Sequence, residues 1–151
     1  MKRVFFPGSF NPFTKGHADI LNRLLRLSDT AVIGIGVNAD KPSSAETAEK
    51  NAEKIAEYLK REGLESRVNV VIYSGLTGEE AKKNGADCMA RGVRGATDFE
   101  YEYQLAAVNR ELFGIETLLI PANPALAGVS STAARDLQRH GREDLAAKLL
   151  P

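Results

Sequence analysis

Short apolar runs rich in β-branched and aromatic residues alternate along this chain with longer segments in which apolar positions recur at a helical period. The runs Arg3 to Phe6, Ala31 to Val37, Val68 to Tyr73, Asp87 to Ala90 and Thr117 to Ile120 predict strands. Between them, "HADILNRLLRL" places Ile20, Leu21, Leu24 and Leu25 on one stripe, a helix that can lie against a sheet. A second helix, from about Ala45 to Arg61, carries its apolar stripe in Ala48, Ala52, Ile55, Ala56 and Leu59. Ser43 or Ser44 is its expected N-cap, and its many Lys and Glu residues make a solvated face. A short third helix runs through "GEEAKKNG" and stops at Asn84-Gly85; a fourth covers Asp98 to Leu112. A fifth starts near Ser131 and stops near Gly141, and the tail "REDLAAKLLP" is suited to a last one. Strands alternating with helices predict parallel βαβ units: an α/β fold with a doubly wound five-stranded parallel sheet flanked by helices, one domain over residues 1–151. Ligands of such sheets bind at the carboxyl ends of the strands, so the loops that follow the strands hold the candidate chemistry.

Composition narrows the setting. The 20 acidic and 20 basic residues balance, so no global positive field points to nucleic acid. Cys88 is the single cysteine, so no intrachain disulfide can form, and no His lies near it at metal-ligand spacing, which suits a reduced compartment. "MKRVFF" opens like a signal peptide, but Pro7 and Gly8 interrupt the apolar run. No stretch approaches the roughly 20 apolar residues of a membrane span. The expectation is a cytoplasmic protein without nucleic-acid or membrane partners.

The loop after the first strand, "PGSFNPFTKGH", enters the first helix, where free N–H groups and the helix dipole favour a phosphate. It is not a Walker A loop, because Lys15 precedes Gly16, and it lacks G-x-G-x-x-G. The "GIG" at Gly34 to Gly36 lies inside a strand and precedes no helix. Gly16 lets the backbone approach a ligand, and His17 in the first turn projects toward an anion bound there; the plain alternative is a helix-capping histidine. After the fourth strand, Arg91 and Arg94 flank Gly92, a spacing that lets two guanidiniums converge on phosphate. They could equally be surface arginines paired with Asp98, Glu100 and Glu102 of the next helix. "VSSTAARDL" opens the fifth helix; Ser130, Ser131 and Thr132 can hold phosphates there or serve as a serine cap.

"PGSFNPFTKGH" resembles the G-[ST]-F-D-P-x-T-x-G-H signature of the nucleotidyltransferase superfamily, whose T/H-x-G-H box binds nucleotide phosphates. "ARGVRGATDFEYEYQLAAVNREL" is similar to the R-G-x-R-x-x-x-D-F-E-Y-E segment of its phosphopantetheine adenylyltransferase family, and "VSST" and "HGRED" match further family segments in the same order. The resemblance implies a Rossmann-like sheet and transfer of AMP from ATP to 4′-phosphopantetheine, giving dephospho-coenzyme A and pyrophosphate. It implies that Ser9, Lys41 and Arg91 hold the incoming phosphate, with Leu76 and Thr77 on the pantetheine side, and that His17 stabilises charge on the α-phosphate. Phe10, Gly92, Val93, Arg94, Glu102 and the segment Leu126, Ala127, Gly128, Val129, Ser130, Ser131 and Thr132 would fix ATP. Magnesium would accompany the triphosphate, no protein metal ligands are expected, and the family's homohexamer is the expected assembly. His140 is expected to be a helix-end residue.

The chain departs from the family pattern between residues 42 and 80, where "DKPSSAETAEKNAEK" lacks the usual phenylalanine and arginine. Leu126 stands where the family usually has an aromatic residue, and the C-terminus lacks the usual ending. Because the nucleophile is already a phosphate, the reaction needs no strong base, and none of the triads or carboxylate dyads of hydrolases is visible. The alternatives are a related nucleotidyltransferase with another phosphate acceptor, such as nicotinate mononucleotide, and a catalytically silent nucleotide-binding protein.

Overall fold

The computed structural model describes residues 2–151. Its strands are β1 (Arg3–Gly8), β2 (Thr30–Gly36), β3 (Val68–Tyr73), β4 (Cys88–Val93) and β5 (Glu116–Pro121). Its α-helices are α1 (Lys15–Leu27), α2 (Pro42–Arg61), α3 (Thr77–Lys83), α4 (Ala96–Phe113), α5 (Ser131–Arg139) and α6 (Glu143–Ala146). The strands form one parallel sheet in the order β3-β2-β1-β4-β5. The chain builds outward from β1 to β3, then returns to lay β4 on the other side of β1. That reversal is the topological switch point where a doubly wound sheet binds ligands.

Side chains alternate along β1, as the pleat requires. Val4 and Phe6 join Ile33, Ile35, Leu21, Leu24, Ile55 and Leu59 in the core under α1 and α2. Phe5 faces the opposite way, with Val32, Met89, Ala81 and Ile115 under α3 and α4. Gly34 explains the "GIG" run: a Cβ there would lie 2.2 Å from Phe5 Cζ, so the glycine makes room for that ring.

Pairing of the central strands is uneven, and the unevenness opens the site. β1 pairs β2 from Arg3 to Gly8, but its register with β4 covers only Val4–Cys88 and Phe5–Met89. Pro7 has no N–H to give a ladder. Beyond Phe5 the two strands separate, and the Pro7 carbonyl accepts instead from Arg91 Nη1, at 2.6 Å.

Several boundaries differ from expectation. The second helix starts at Pro42, whose fixed φ suits a first helical position, and Lys41 is its N-cap with no side-chain hydrogen bond. Neither Ser43 nor Ser44 caps it, and the Ser44 hydroxyl accepts from Asn38 N–H at 3.2 Å. Ala56 is exposed rather than part of the stripe. β4 continues to Val93, because β5 pairs with it as far as Val93–Pro121. Arg91 and Gly92 therefore belong to a strand, not to the loop after it. The tail folds as α6 and a 3-10 turn at Ala147–Leu149. Among the described residues, no helix is long and apolar enough to cross a membrane.

Candidate active site

A cleft of about 440 Å³ opens at the split between β1 and β4. Its floor comes from the end of β1 and the loop after it. Thr14 is the N-cap of α1, and its N–H donates to His17 Nδ1 at 3.0 Å while its Oγ1 lies 3.5 Å from His17 N. Sequence reasoning saw a helix start here; the structure shows a capping box in which histidine takes the reciprocal position. One chemical consequence follows from the donor. Nδ1 accepts a hydrogen bond, so the neutral ring carries its proton on Nε2, and that N–H is free to donate to a ligand.

Aromatic rings surround His17. Phe13 stacks on it at 5.6 Å between centroids, Phe10 meets it edge-on at 4.9 Å, and Phe6 lies at 6.5 Å. Phe10 reaches this position through a left-handed backbone, φ 48°, an uncommon conformation for a bulky residue. That turn sends the ring inward, over Gly8, where it is 1% exposed. Burial, then the charges of Arg91 and Arg94, lower the His17 pKa from 6.5 to about 4. Near neutral pH the residue is therefore an uncharged hydrogen-bond donor.

The opposite wall is charged. Arg91 Nε and Nη2 donate to the two carboxylate oxygens of Glu102 at 2.9 and 2.8 Å, a bidentate pair, and Glu102 is 6% exposed. With Nη1 on Pro7, the guanidinium is held on three sides. Arg94 is more exposed; its N–H donates to Asp98 at 3.3 Å and its Nε lies 3.6 Å from the same carboxylate. The pairing reading of these arginines holds, with Glu102 and Asp98 of α4 as the partners, and each guanidinium also lines the cleft.

A third wall comes from the start of α5. Ser130 is the N-cap and accepts from Ala133 N–H at 3.0 Å. Ser131 Oγ donates to the Pro12 carbonyl at 2.8 Å, and Arg135 Nη1 donates to the Asn11 carbonyl at 2.6 Å. These two bonds sew α5 to the loop after β1. The serine-cap reading is right for Ser130, while Thr132 remains exposed at the cleft.

A second cavity, about 340 Å³, lies behind the Arg91–Glu102 pair. Met89, Leu76, Leu105, Val108, Leu112 and Phe113 make it largely apolar. Pro7, Gly8, Arg91 and Glu102 line both cavities and form the partition between them. α3 can approach α4 here because a Cβ on Gly78 would lie 2.2 Å from Phe113. Tyr73, whose hydroxyl is 3.0 Å from Thr77 Oγ1, closes one side; burial raises its pKa.

Of the residues singled out from sequence, Ser9, Phe10, His17, Arg91, Gly92, Arg94, Glu102, Leu126, Val129, Ser130, Ser131 and Thr132 line the cleft, and Leu76 and Thr77 line the apolar cavity. Val93, Ala127 and Gly128 line neither, and Val93 spends its carbonyl on Ala122 N–H at 2.8 Å. Lys41 is exposed at the start of α2, outside both cavities. Tyr101, Asn123 and Arg135 also line the cleft. Arg135 had a signal, four positions after Ser131 on a helix that starts at the cleft. Among the described residues, no three His, Cys, Asp or Glu side chains group to hold a metal ion. His140 stands at the C-terminus of α5, as expected.

Comparison with known proteins completes the description. A cytidylyltransferase-like family model matches residues 5–137. The phosphopantetheine adenylyltransferase of Porphyromonas gingivalis is 42% identical over 140 residues, covering 93% of this chain and 89% of that protein. That of Phocaeicola vulgatus is 41% identical over 143 residues, covering 95% and 92%. Among solved structures, a bifunctional NMN adenylyltransferase/ADP ribose pyrophosphatase from Francisella tularensis superposes with a TM-score of 0.66 at 19% identity. The match covers 93% of this chain and 42% of that one, and shows a shared fold.

Proposed function

The chain belongs to the phosphopantetheine adenylyltransferases of the cytidylyltransferase-like family, and we propose that it transfers the adenylyl group of ATP to 4′-phosphopantetheine, giving dephospho-coenzyme A and pyrophosphate. The observation that carries this reading is the pair of cavities that share Gly8 and Arg91. One is lined with donors suited to a nucleotide's phosphates; the other suits an extended apolar arm. Their partition is where a phosphate at the end of that arm would meet the α-phosphorus.

The chemistry asks for little acid–base work. An oxygen of the acceptor phosphate forms the bond to the α-phosphorus, and the bond from that phosphorus to the bridging oxygen breaks, with the electron pair leaving on pyrophosphate. Positioning and charge stabilisation dominate such a step. His17 Nε2–H donates to a non-bridging oxygen of the α-phosphate, where charge grows in the transition state. Arg91 at the partition steadies the incoming phosphate, Ser9 in the cleft assists, and Glu102 acts through Arg91 as its anchor. Arg94 and the start of α5 hold the triphosphate. Lys41, on the exposed approach to α2, reaches the acceptor phosphate if residues 37–41 fold inward over the apolar cavity.

The carboxylates of the cleft do not suit a resident metal, since Asp98 and Glu102 are both paired with arginines. Magnesium enters this reading as the ion that accompanies ATP. The same reading places the protein in the cytoplasm as a homohexamer; Phe99 and Tyr103 on α4, each at least 50% exposed, support self-association through that helix.

The test is pyrophosphate release from ATP and magnesium with 4′-phosphopantetheine, without it, and with nicotinate mononucleotide. Release that requires phosphopantetheine supports the reading. Release only with another acceptor, or none over a panel of acceptors despite nucleotide binding, sinks it.

A further inference from the structure

We propose that Phe13 and Tyr58 form a positioning column for the His17 imidazole, through which α2 acts on a reaction whose cavities it does not line. No described side chain of α2 touches either cavity. The helix nevertheless reaches the site through rings in contact, one pair stacked and one tilted. Phe13 lies on His17 with 22° between the ring planes; Phe10 packs against it at 5.8 Å on the cleft side, and Tyr58 of α2 meets it at 5.3 Å with the planes tilted by 51°. Tyr58 is fixed in turn by Asn22 Nδ2, which donates to its hydroxyl at 3.3 Å, and by Arg61, whose Cζ lies 5.4 Å from the ring centroid. Phe13 and Tyr58 are each 6% exposed, so the column is dry from α2 to the cleft.

The column supplies what the Thr14 hydrogen bond lacks. Thr14 N–H and Oγ1 meet Nδ1 at 3.0 and 3.2 Å and set the ring's orientation but leave its faces uncovered, whereas groups packed on the faces stiffen it against rotation about the Cβ–Cγ bond and exclude water. Phe13 closes one face and keeps water from it, and Tyr58 keeps Phe13 from moving aside. The charged groups that bear on the ring stand on the other elements: Arg91 on β4, Arg94 beyond it, Glu102 and Asp98 paired with them on α4, and Arg135 on α5. None of these changes when the column is cut. Removing it admits water to the imidazole and lets it take a proton at a higher pH.

This inference rests on His17 being the donor to the reacting phosphate, but its first readout does not. The chain has two histidines, so a titration of isotope-labelled histidine in the ligand-free protein resolves both, with His140 at the exposed end of α5 as internal reference. Phe13→Leu is expected to raise the His17 midpoint by about one pH unit or more, with His140 unmoved. It should lower kcat by about 5- to 20-fold with a new acid limb at about pH 5, and change the KM for ATP by less than about 2-fold. Tyr58→Leu should shift both readouts the same way by less, and Tyr58→Phe, which restores the ring, should recover most of that loss. An unmoved His17 midpoint in both leucine variants, or a kcat loss uniform across pH, reduces the rings to ordinary core packing and overturns the proposal. Where Phe13→Leu does not fold, the Tyr58 variants decide alone. Failure of wild-type pyrophosphate release would overturn the reaction while leaving the titration to judge the column.

Discussion

On the β1–α1 side of the cleft, His17 is enclosed by the rings of Phe6, Phe10 and Phe13 and held by a backbone N–H, whereas on the β4–α4 side Arg91 and Arg94 are each tied to a carboxylate. Packing fixes the first wall and charge fixes the second. The helices behind them differ in the same sense. α1 buries Ala18, Ile20, Leu21, Leu24 and Leu25, while the only large side chain that α4 buries is Glu102. On the proposed reading, a neutral donor backed by aromatic rings gains most when charge builds on the phosphate, which assigns it to turnover. On the same reading, guanidiniums attract a phosphate from the start, which assigns them to binding as well.

The largest effect tests that division directly. His17→Ala should lower kcat by about 10²–10³-fold, the usual cost of one preorganised donor, while the KM for ATP changes by less than about 3-fold. Steady-state kinetics would decide; a loss confined to KM would move His17 to the binding side. Glu102→Gln attacks the other wall by leaving Arg91 with a neutral partner in a buried place. A fall of about 10- to 100-fold in kcat/KM for both substrates is expected, with a lower thermal midpoint, since breaking a buried pair costs up to about 3–5 kcal/mol. Lys41→Ala should raise the KM for phosphopantetheine about 10-fold, the worth of one charge-assisted hydrogen bond, and leave that for ATP unchanged. An unchanged acceptor KM would mean that the loop before α2 does not fold inward.

The packed wall was easier to read from the sequence than the charged one, for a physical reason. Thr14 and His17 lie three residues apart at a helix start, and their interaction is local, so spacing alone suggests it. Arg91 and Glu102 are joined across a strand, a turn and a helix. Sequence offered several acids and could not choose, and an Arg-Gly pair reads as loop until β5 is seen to extend the ladder to Val93. The apolar cavity was mostly hidden, because apolar residues lie all round α4 and no single stripe marks the inward face; Leu105 and Phe113 carried no signal. The five strands and the order of the helices were legible because buried parallel strands are near-continuous apolar runs. The start of α2 was misread because Pro42 outranks a serine as a starter when the preceding residue is already extended.

The acid side of the pH profile separates the walls again. Because the His17 pKa is lowered to about 4, its neutral form persists well below 6.5, and kcat should show no His17 inflection between about pH 8 and 5. The sign for stability is the same: between 6.5 and about 4 the unfolded chain binds the proton that the folded one refuses, so stability falls as pH drops through that window. A kcat midpoint near 6.5 would show that the box is wet.

Asp98→Asn should do least. Arg94 and Asp98 are half exposed, their charged groups lie 3.6 Å apart, and exposed pairs contribute about 0–1 kcal/mol. Losing the carboxylate frees a guanidinium that faces the cleft, and this offsets the looser geometry. A change of about 2-fold or less in the KM for ATP is expected at low salt, vanishing in about 0.5 M salt, where screening removes exposed charge effects. A change as large as that from Glu102→Gln would mean that the two ion pairs do the same work despite their difference in burial, and the charged wall would have to be treated as a single network.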